Sequence, residues 1–298
     1  MSAENQPPPQ AVADLPVFQT LAAAFAAAFG QPVLLLRAAA GGLMLLAVAS
    51  VIYLAMPNAL TAMLAIFAPI AAYCHFGVNW YRIMLLGPEG VVRPALRWDR
   101  RHWLFFGYAV GLGTTLLIVF MVASIVLPFL PGAVVAIVLC YLAARCSFLF
   151  PTLAVEEPYS FALSWQHTKG QGLRLTSCLL LAAIPLSLAV SLIVSVLANA
   201  AMGEVVAALV DLQSNPDSSA ANRNLAEALE ALPPMALVSM KMIFEALNMV
   251  VLAVLFGIVA LAFRTCTGWV PAPSSNLPAP PPDDHGEGNH GEGDDARF

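Results

Sequence analysis

The residues of this chain best suited to chemistry lie in the stretch SMKMIFEALN, at 239–248. Lys241 and Glu245 are four apart, so on a helix they share a face, with Asn248 nearly in line. Ionisable groups at membrane depth are costly and commonly serve coupling or substrate binding. Two readings are open here. If the last apolar run begins near 242, Lys241 reaches the outer interface and Glu245, one turn deeper, forms an i,i+4 pair with it. The other reading makes the pair the centre of a small carrier for a lipid or solute. Ser187, Ser191 and Ser195 belong with this question, since they repeat every four residues and share one face. Such a stripe marks either close helix packing or a polar pathway.

Other chemistry is thin. There is no Walker loop, GxGxxG, HExxH or GxSxG, and no nucleophile, base and metal set converges on one motif. No catalytic, cofactor-binding or metal-ligating residues are therefore expected. His75 sits beside Cys74 inside an apolar run, and a lone pair of that kind reads as helix packing rather than a metal site. The five cysteines form no CxxC pair and read as small buried hydrophobes. Gly107 and Gly111 make a GxxxG packing signal. The repeat HGEGNHGEG at 285–293 suits a solvated tail better than an ion site. The loop RPALRWDRRHW carries Arg93, Arg97, Arg100 and Arg101 with Trp98 and Trp103 interleaved. Beside a span, that composition reads as contact with anionic lipid, and the net charge of −5 gives no sign of nucleic-acid binding.

The elements that must position these residues follow from composition. The chain has 298 residues, of which 60% are hydrophobic and 10% charged. Its mean hydropathy is +0.79. One globular core of this size cannot hide that apolar surface, so the fold class is an all-α polytopic membrane bundle. Six runs are long enough to span, near 38–56, 60–80, 104–127, 132–150, 175–198 and 242–263. With the N-terminus inside, eleven of the thirteen Lys and Arg fall on the cytoplasmic side, leaving only Arg223 and Lys241 outside. All five tryptophans fall near the cytoplasmic face too, which places both termini there. Residues 1–14 read as solvated chain with no secretory signal. Residues 15–31 read as an amphipathic helix, either in the inner interface or packed on the bundle, with Phe18, Leu21, Phe25 and Phe29 at helical spacing. The transmembrane domain covers 32–265 and includes an outer helical loop at 199–237. The acidic, Pro- and Gly-rich tail at 266–298 reads as disordered.

The stretch YLAARCSFLFPTLAVEEPYSFALSWQHTKG, ending at Gly170, is the richest in sequence detail. Its Arg145, Pro151, Glu157, Pro158, Ser164, Trp165, Thr168, Lys169 and Gly170 resemble a pattern in bacterial six-span membrane proteins. Those proteins are related to the membrane domain found beside glycerophosphodiester phosphodiesterases. NWYRIMLLGPEG at 79–90, with Arg82, resembles a second motif of the alphaproteobacterial members, although Pro88 separates its Gly from its Glu. The resemblance covers roughly residues 15–265. It implies a multi-pass protein of the bacterial inner membrane and names no reaction, since the family's role is largely unassigned. The phosphodiesterase barrel itself has no counterpart here, because no soluble stretch of about 250 residues is present. The residues themselves agree with a structural part for this stretch. Ser160 suits an N-cap, Gly170 a helix end, and Lys169 the negative end of the helix dipole. A short helix there turns the chain from the fourth span into the fifth. The expected function is a non-enzymatic scaffold or accessory factor of the cell envelope.

Overall fold

Small residues decide where these helices meet. The computed structural model describes residues 14–90, 98–126, 132–157, 160–215, 218–231 and 233–271. Arg93, Arg97, Pro158, the 127–131 connection and most of the acidic tail lie outside the described residues. The helices are α1 (Val17–Gly30), α2 (Pro32–Ala55), α3 (Ala59–Leu86), α4 (Arg100–Val126) and α5 (Gly132–Cys146), followed by α6 (Leu149–Val155), α7 (Phe161–His167), α8 (Gly172–Ser214), α9 (Ser219–Glu230) and α10 (Pro234–Thr267). Among the described residues all regular structure is helical, and six helical segments are long and apolar enough to cross a membrane.

The centre is the packing of α2, α3 and α10. On α2, Ala38, Ala39, Gly41, Gly42, Leu46 and Ala49 are buried against these neighbours. A side chain at Gly42 would put its Cβ 2.8 Å from the Ala72 carbonyl oxygen. One at Gly41 would put it 2.5 Å from the His75 ring. In lipid, where apolar contact with tails competes with apolar contact between helices, such close backbone approach is what holds a pair together. The α2–α3 hairpin is fixed at its other end by a capping box. Asn58 Oδ1 accepts from Leu60 N and Thr61 N, and Thr61 Oγ1 accepts from Asn58 N. On the α3–α10 seam, Trp80 Nε1 donates to Ala253 O at 2.7 Å, which fixes the register of the two helices.

The fourth span is broken. A helix running through residue 150 would need Pro151 to bond the Ser147 carbonyl, which it cannot do, and its ring would strike that carbonyl. The chain therefore turns after Cys146 and restarts as α6, with Pro151 in the first turn where no N–H is missed. The fifth span is longer than the sequence suggests. α8 has 43 residues and bends at Met202, whose φ of −138° and ψ of 38° are not helical. The segment beyond the bend packs with α9, so the predicted outer helical loop is one helix extension plus one short helix.

α1 runs across α10 and α8 through its small face, burying Thr20, Ala24 and Ala28 at every fourth position. Its phenyl residues are less buried: Phe18 and Phe29 are exposed, while Phe25 packs half-buried against the core. A latch holds its start. Leu15 N donates to Gln171 Oε1 at 3.2 Å, Gln171 Nε2 donates to Asp14 Oδ1 at 3.0 Å, and Arg174 Nη1 lies 2.6 Å from the same oxygen.

Two outcomes follow from this packing. Gly42→Ala forces α2 away from the α3 backbone and lowers stability by about 1–3 kcal/mol, the usual cost of overpacking. Gly113→Ala, where an added Cβ meets nothing within 4 Å, leaves stability unchanged or slightly raised. Denaturing-detergent titration of the purified protein measures both. The second outcome concerns pH. Gln171 and Arg174 hold the Asp14 carboxyl below its ordinary range. A depressed carboxylate stabilises above its unfolded pKa and loses that contribution as pH falls through the folded one. The α1 latch is therefore intact at neutral pH and opens in acid. Limited proteolysis at the start of α1 should accelerate as pH is lowered below about 4 and stay constant from pH 5 to 8.

Candidate functional site

Arg145 organises the connections at one end of the bundle. It stands in the last turn of α5 and is only 8% exposed. A guanidinium buried there needs partners for its N–H groups. Its Nε donates to Thr168 Oγ1 at 3.0 Å, Nη1 donates to the Tyr141 hydroxyl at 3.2 Å, and Nη2 donates to the Trp165 carbonyl. The Trp165 ring lies under it, 3.7 Å from Cζ to centroid. In return Ser164 Oγ donates to the Arg145 carbonyl at 2.7 Å, and Thr168 Oγ1 donates to Ser164 O. Gly172 completes the site, since a Cβ there would sit 3.0 Å from Arg145 Cδ. Ser160 caps α7 by accepting from Leu163 N, and Gly170 takes a φ of +80° that glycine adopts freely. Lys169 is exposed just past the helix end.

Arg82 does similar work nearby. Its Nε donates to Gly90 O at 2.9 Å and its Nη1 to Ala154 O at 3.1 Å, tying the end of α3 to α6. Arg101 faces the end of the same α6, with Nε 2.8 Å from Glu156 Oε1. Arg100 is exposed. The arginines are thus mostly spent on carbonyls and hydroxyls of the fold itself.

The polar residues of the fifth and sixth spans are not brought together. Ser187, Ser191 and Ser195 are all exposed on the outward side of α8. Glu245 is 5% exposed and accepts a hydrogen bond from the Tyr73 hydroxyl of α3. Asn248 reaches the same hydroxyl. Lys241 is half-buried, and among the described residues no ion pair joins it to Glu245. The carboxylate pairs across helices because α3 and α10 run side by side, while a surface i,i+4 pair needs both groups outside.

Sequence reasoning missed a pair of buried histidines. His75 of α3 and His102 of α4 stack at 5.2 Å between centroids, with planes 19° apart. Both are buried. Asn79 Nδ2 lies 3.2 Å from His75 Nδ1, and Asp99 N donates to His102 Nδ1 at 3.1 Å. Trp98 leans on the His102 ring at 5.4 Å. The only signal was His102 itself inside the basic loop, and nothing local linked it to a residue 27 positions earlier.

Two apolar clefts flank this region. One, of about 310 Å³, opens between α5, α8 and α10; the other, of about 240 Å³, lies against Tyr73. They share Phe150 and Phe256 as a common wall. No known family, curated protein or solved structure matches the chain.

The Arg145 clamp gives a direct test. Arg145→Lys keeps a charge but loses the fork and the ring stacking, leaving Thr168 and the Trp165 carbonyl short of donors. A loss of roughly 2–4 kcal/mol is expected. It should appear as a lowered unfolding midpoint and faster cleavage within 160–171.

Proposed function

We propose that this protein is a non-enzymatic membrane scaffold or accessory factor of the bacterial cell envelope, seated in the inner membrane with both termini in the cytoplasm. In this reading it is a relative of the six-span proteins that its arginine and tryptophan motifs resemble. The observation that carries the reading is the state of α4. No residue of its most apolar stretch is fully buried within the chain, and its contacts with α3, α5 and α6 leave much of its surface exposed. Gly107 and Gly111 lie on that open helix, where an added Cβ would meet nothing within 4 Å. A glycine face without a partner inside the molecule suits a helix of another molecule. The fate of the motif residues supports the same conclusion, since Arg145, Ser164 and Thr168 are bonded to one another and not held toward a substrate. Orientation rests on charge: Arg82, Arg101, Arg145 and Arg174 gather at the end where Asp14 and α7 also lie. That end would meet anionic lipid, through Arg93, Arg97, Arg100 and Arg101.

A second reading has one specific observation in its favour. Glu245, buried and bonded to half-buried Tyr73 beside an apolar cleft, with Asn248 on the same hydroxyl, is the arrangement a small carrier for a lipid or solute would need. In that reading the serines of α8 have no part.

Cysteine cross-linking tests the scaffold. In a cysteine-free background, Gly111→Cys should form disulfide-linked dimers, or adducts with a neighbouring protein, under mild oxidation in membranes. Leu117→Cys, on another face of the same helix, should not. Absent or equal cross-linking at the two positions overturns the scaffold reading.

A further inference from the structure

Buried donors without acceptors are rare in folded proteins, because each forfeits the hydrogen bond it had in water. Among the described residues four buried side-chain atoms are in that state, and three of them are N–H donors within five consecutive residues: Trp98 Nε1, Arg101 Nε and His102 Nε2. All three stand at the start of α4. The Arg101 case is instructive. Its Nε is 2.8 Å from Glu156 Oε1, yet the N–H is not aimed along that line, so the contact is an ion pair without a directed hydrogen bond. For His102 the tautomer follows from its partner. The Asp99 amide donates to Nδ1, so the neutral ring carries its proton on Nε2 and presents an N–H there. His102 is 5% exposed, and stacking on His75 fixes its ring. Gly41 of α2 leaves the room that His75 occupies.

We infer that Trp98, Arg101 and His102 at the first turn of α4 form a binding site for a phosphate-type anion. Three N–H groups without hydrogen-bond partners, within five residues of one another, match the several acceptor oxygens of a tetrahedral anion. A helix N-terminus adds the positive end of its dipole. Arg82 and Arg101 are the cationic neighbours of His102, and Arg100 is exposed beside them. The carboxylates in reach are Asp99, with Oδ2 4.0 Å from Arg101 Nη2, and Glu156, so the guanidinium groups outnumber the acids. The ligand's chemistry is a phosphate monoester, a phosphodiester or inorganic phosphate. This deepens the anionic-lipid contact proposed above by replacing a diffuse basic surface with three unpartnered donors.

Full-length protein in maltoside micelles, stripped of phospholipid, is titrated with phosphatidylglycerol labelled on its acyl chain, and separately with inorganic phosphate as competitor. Trp98→Phe removes one N–H and keeps the ring; Arg101→Lys keeps the charge and removes the Nε–H. Each should weaken binding roughly ten-fold, the worth of one hydrogen bond to an anion. Arg100→Gln should change it less than about two-fold. Competition by millimolar phosphate assigns the site to free phosphate; displacement by unlabelled lipid alone assigns it to a headgroup. No saturable binding to the wild type, or equal loss in all three variants, overturns the site. Unchanged affinity in Arg101→Lys does the same even if Trp98→Phe fails to fold. A negative result here leaves the cross-linking at Gly111 untouched, and failed cross-linking leaves this site standing.

Discussion

Backbone contact between α2 and α3 is the constraint from which the rest of the bundle takes its positions. Lipid tails offer an apolar side chain much the same surroundings as another helix does, so burial alone selects no helix pair. Gly41 and Gly42 select one, because only there can α2 come within reach of Ala72 and His75. Once α3 is fixed against α2, Trp80 sets α10 in register beside it. That places Glu245 opposite Tyr73. It also places the His75 ring where His102 can stack on it. Polar pairs of the interior are in this sense consequences of two missing side chains.

The second organising rule is that cations near lipid are matched by fixed partners. Arg145 and Arg82 are each bonded to backbone carbonyls, and those bonds define how α6 and α7 lie against the long helices. A carbonyl at a helix end lacks an intrahelical donor, so it is a ready acceptor. Trp165, Ala154 and Gly90 supply such carbonyls. Short helices that could not stand alone are stapled by long arginine side chains reaching from longer ones.

Hydropathy made the six spans legible, because it reads burial in lipid directly. The Ser160 cap was also visible in local spacing, and Arg145, Ser164, Trp165 and Thr168 were singled out together by the resemblance. What hydropathy could not show was where an apolar run changes direction. The break before Pro151 needed the proline's missing N–H to be set against a particular carbonyl, and the bend at Met202 has no sequence marker beyond the glycine that follows it. Partners across the chain were less legible still. Glu245 has a lysine four residues away and chooses a tyrosine 172 residues away. The histidine pair joins two helices whose sequences give no hint of each other. The serines of α8 keep their helical spacing in the structure, yet their shared face is the outer one.

The bend at Met202 also separates charge. Beyond it, Glu204 and Asp211 of α8 line a groove with Glu227 of α9, at the end opposite the arginine-bonded connections. Among the described residues, the arginine-bonded connections gather at one end of the bundle and this acidic groove lies at the other. An energised membrane does work on charge held at one face, about 2.3 kcal/mol for each elementary charge moved through 100 mV. In the orientation proposed above the acidic groove faces the positive side of the membrane, so voltage and charge act in the same direction. Turning the protein over in the bilayer would be opposed by the field as well as by the lipid, so its sidedness is strengthened whenever the cell is energised.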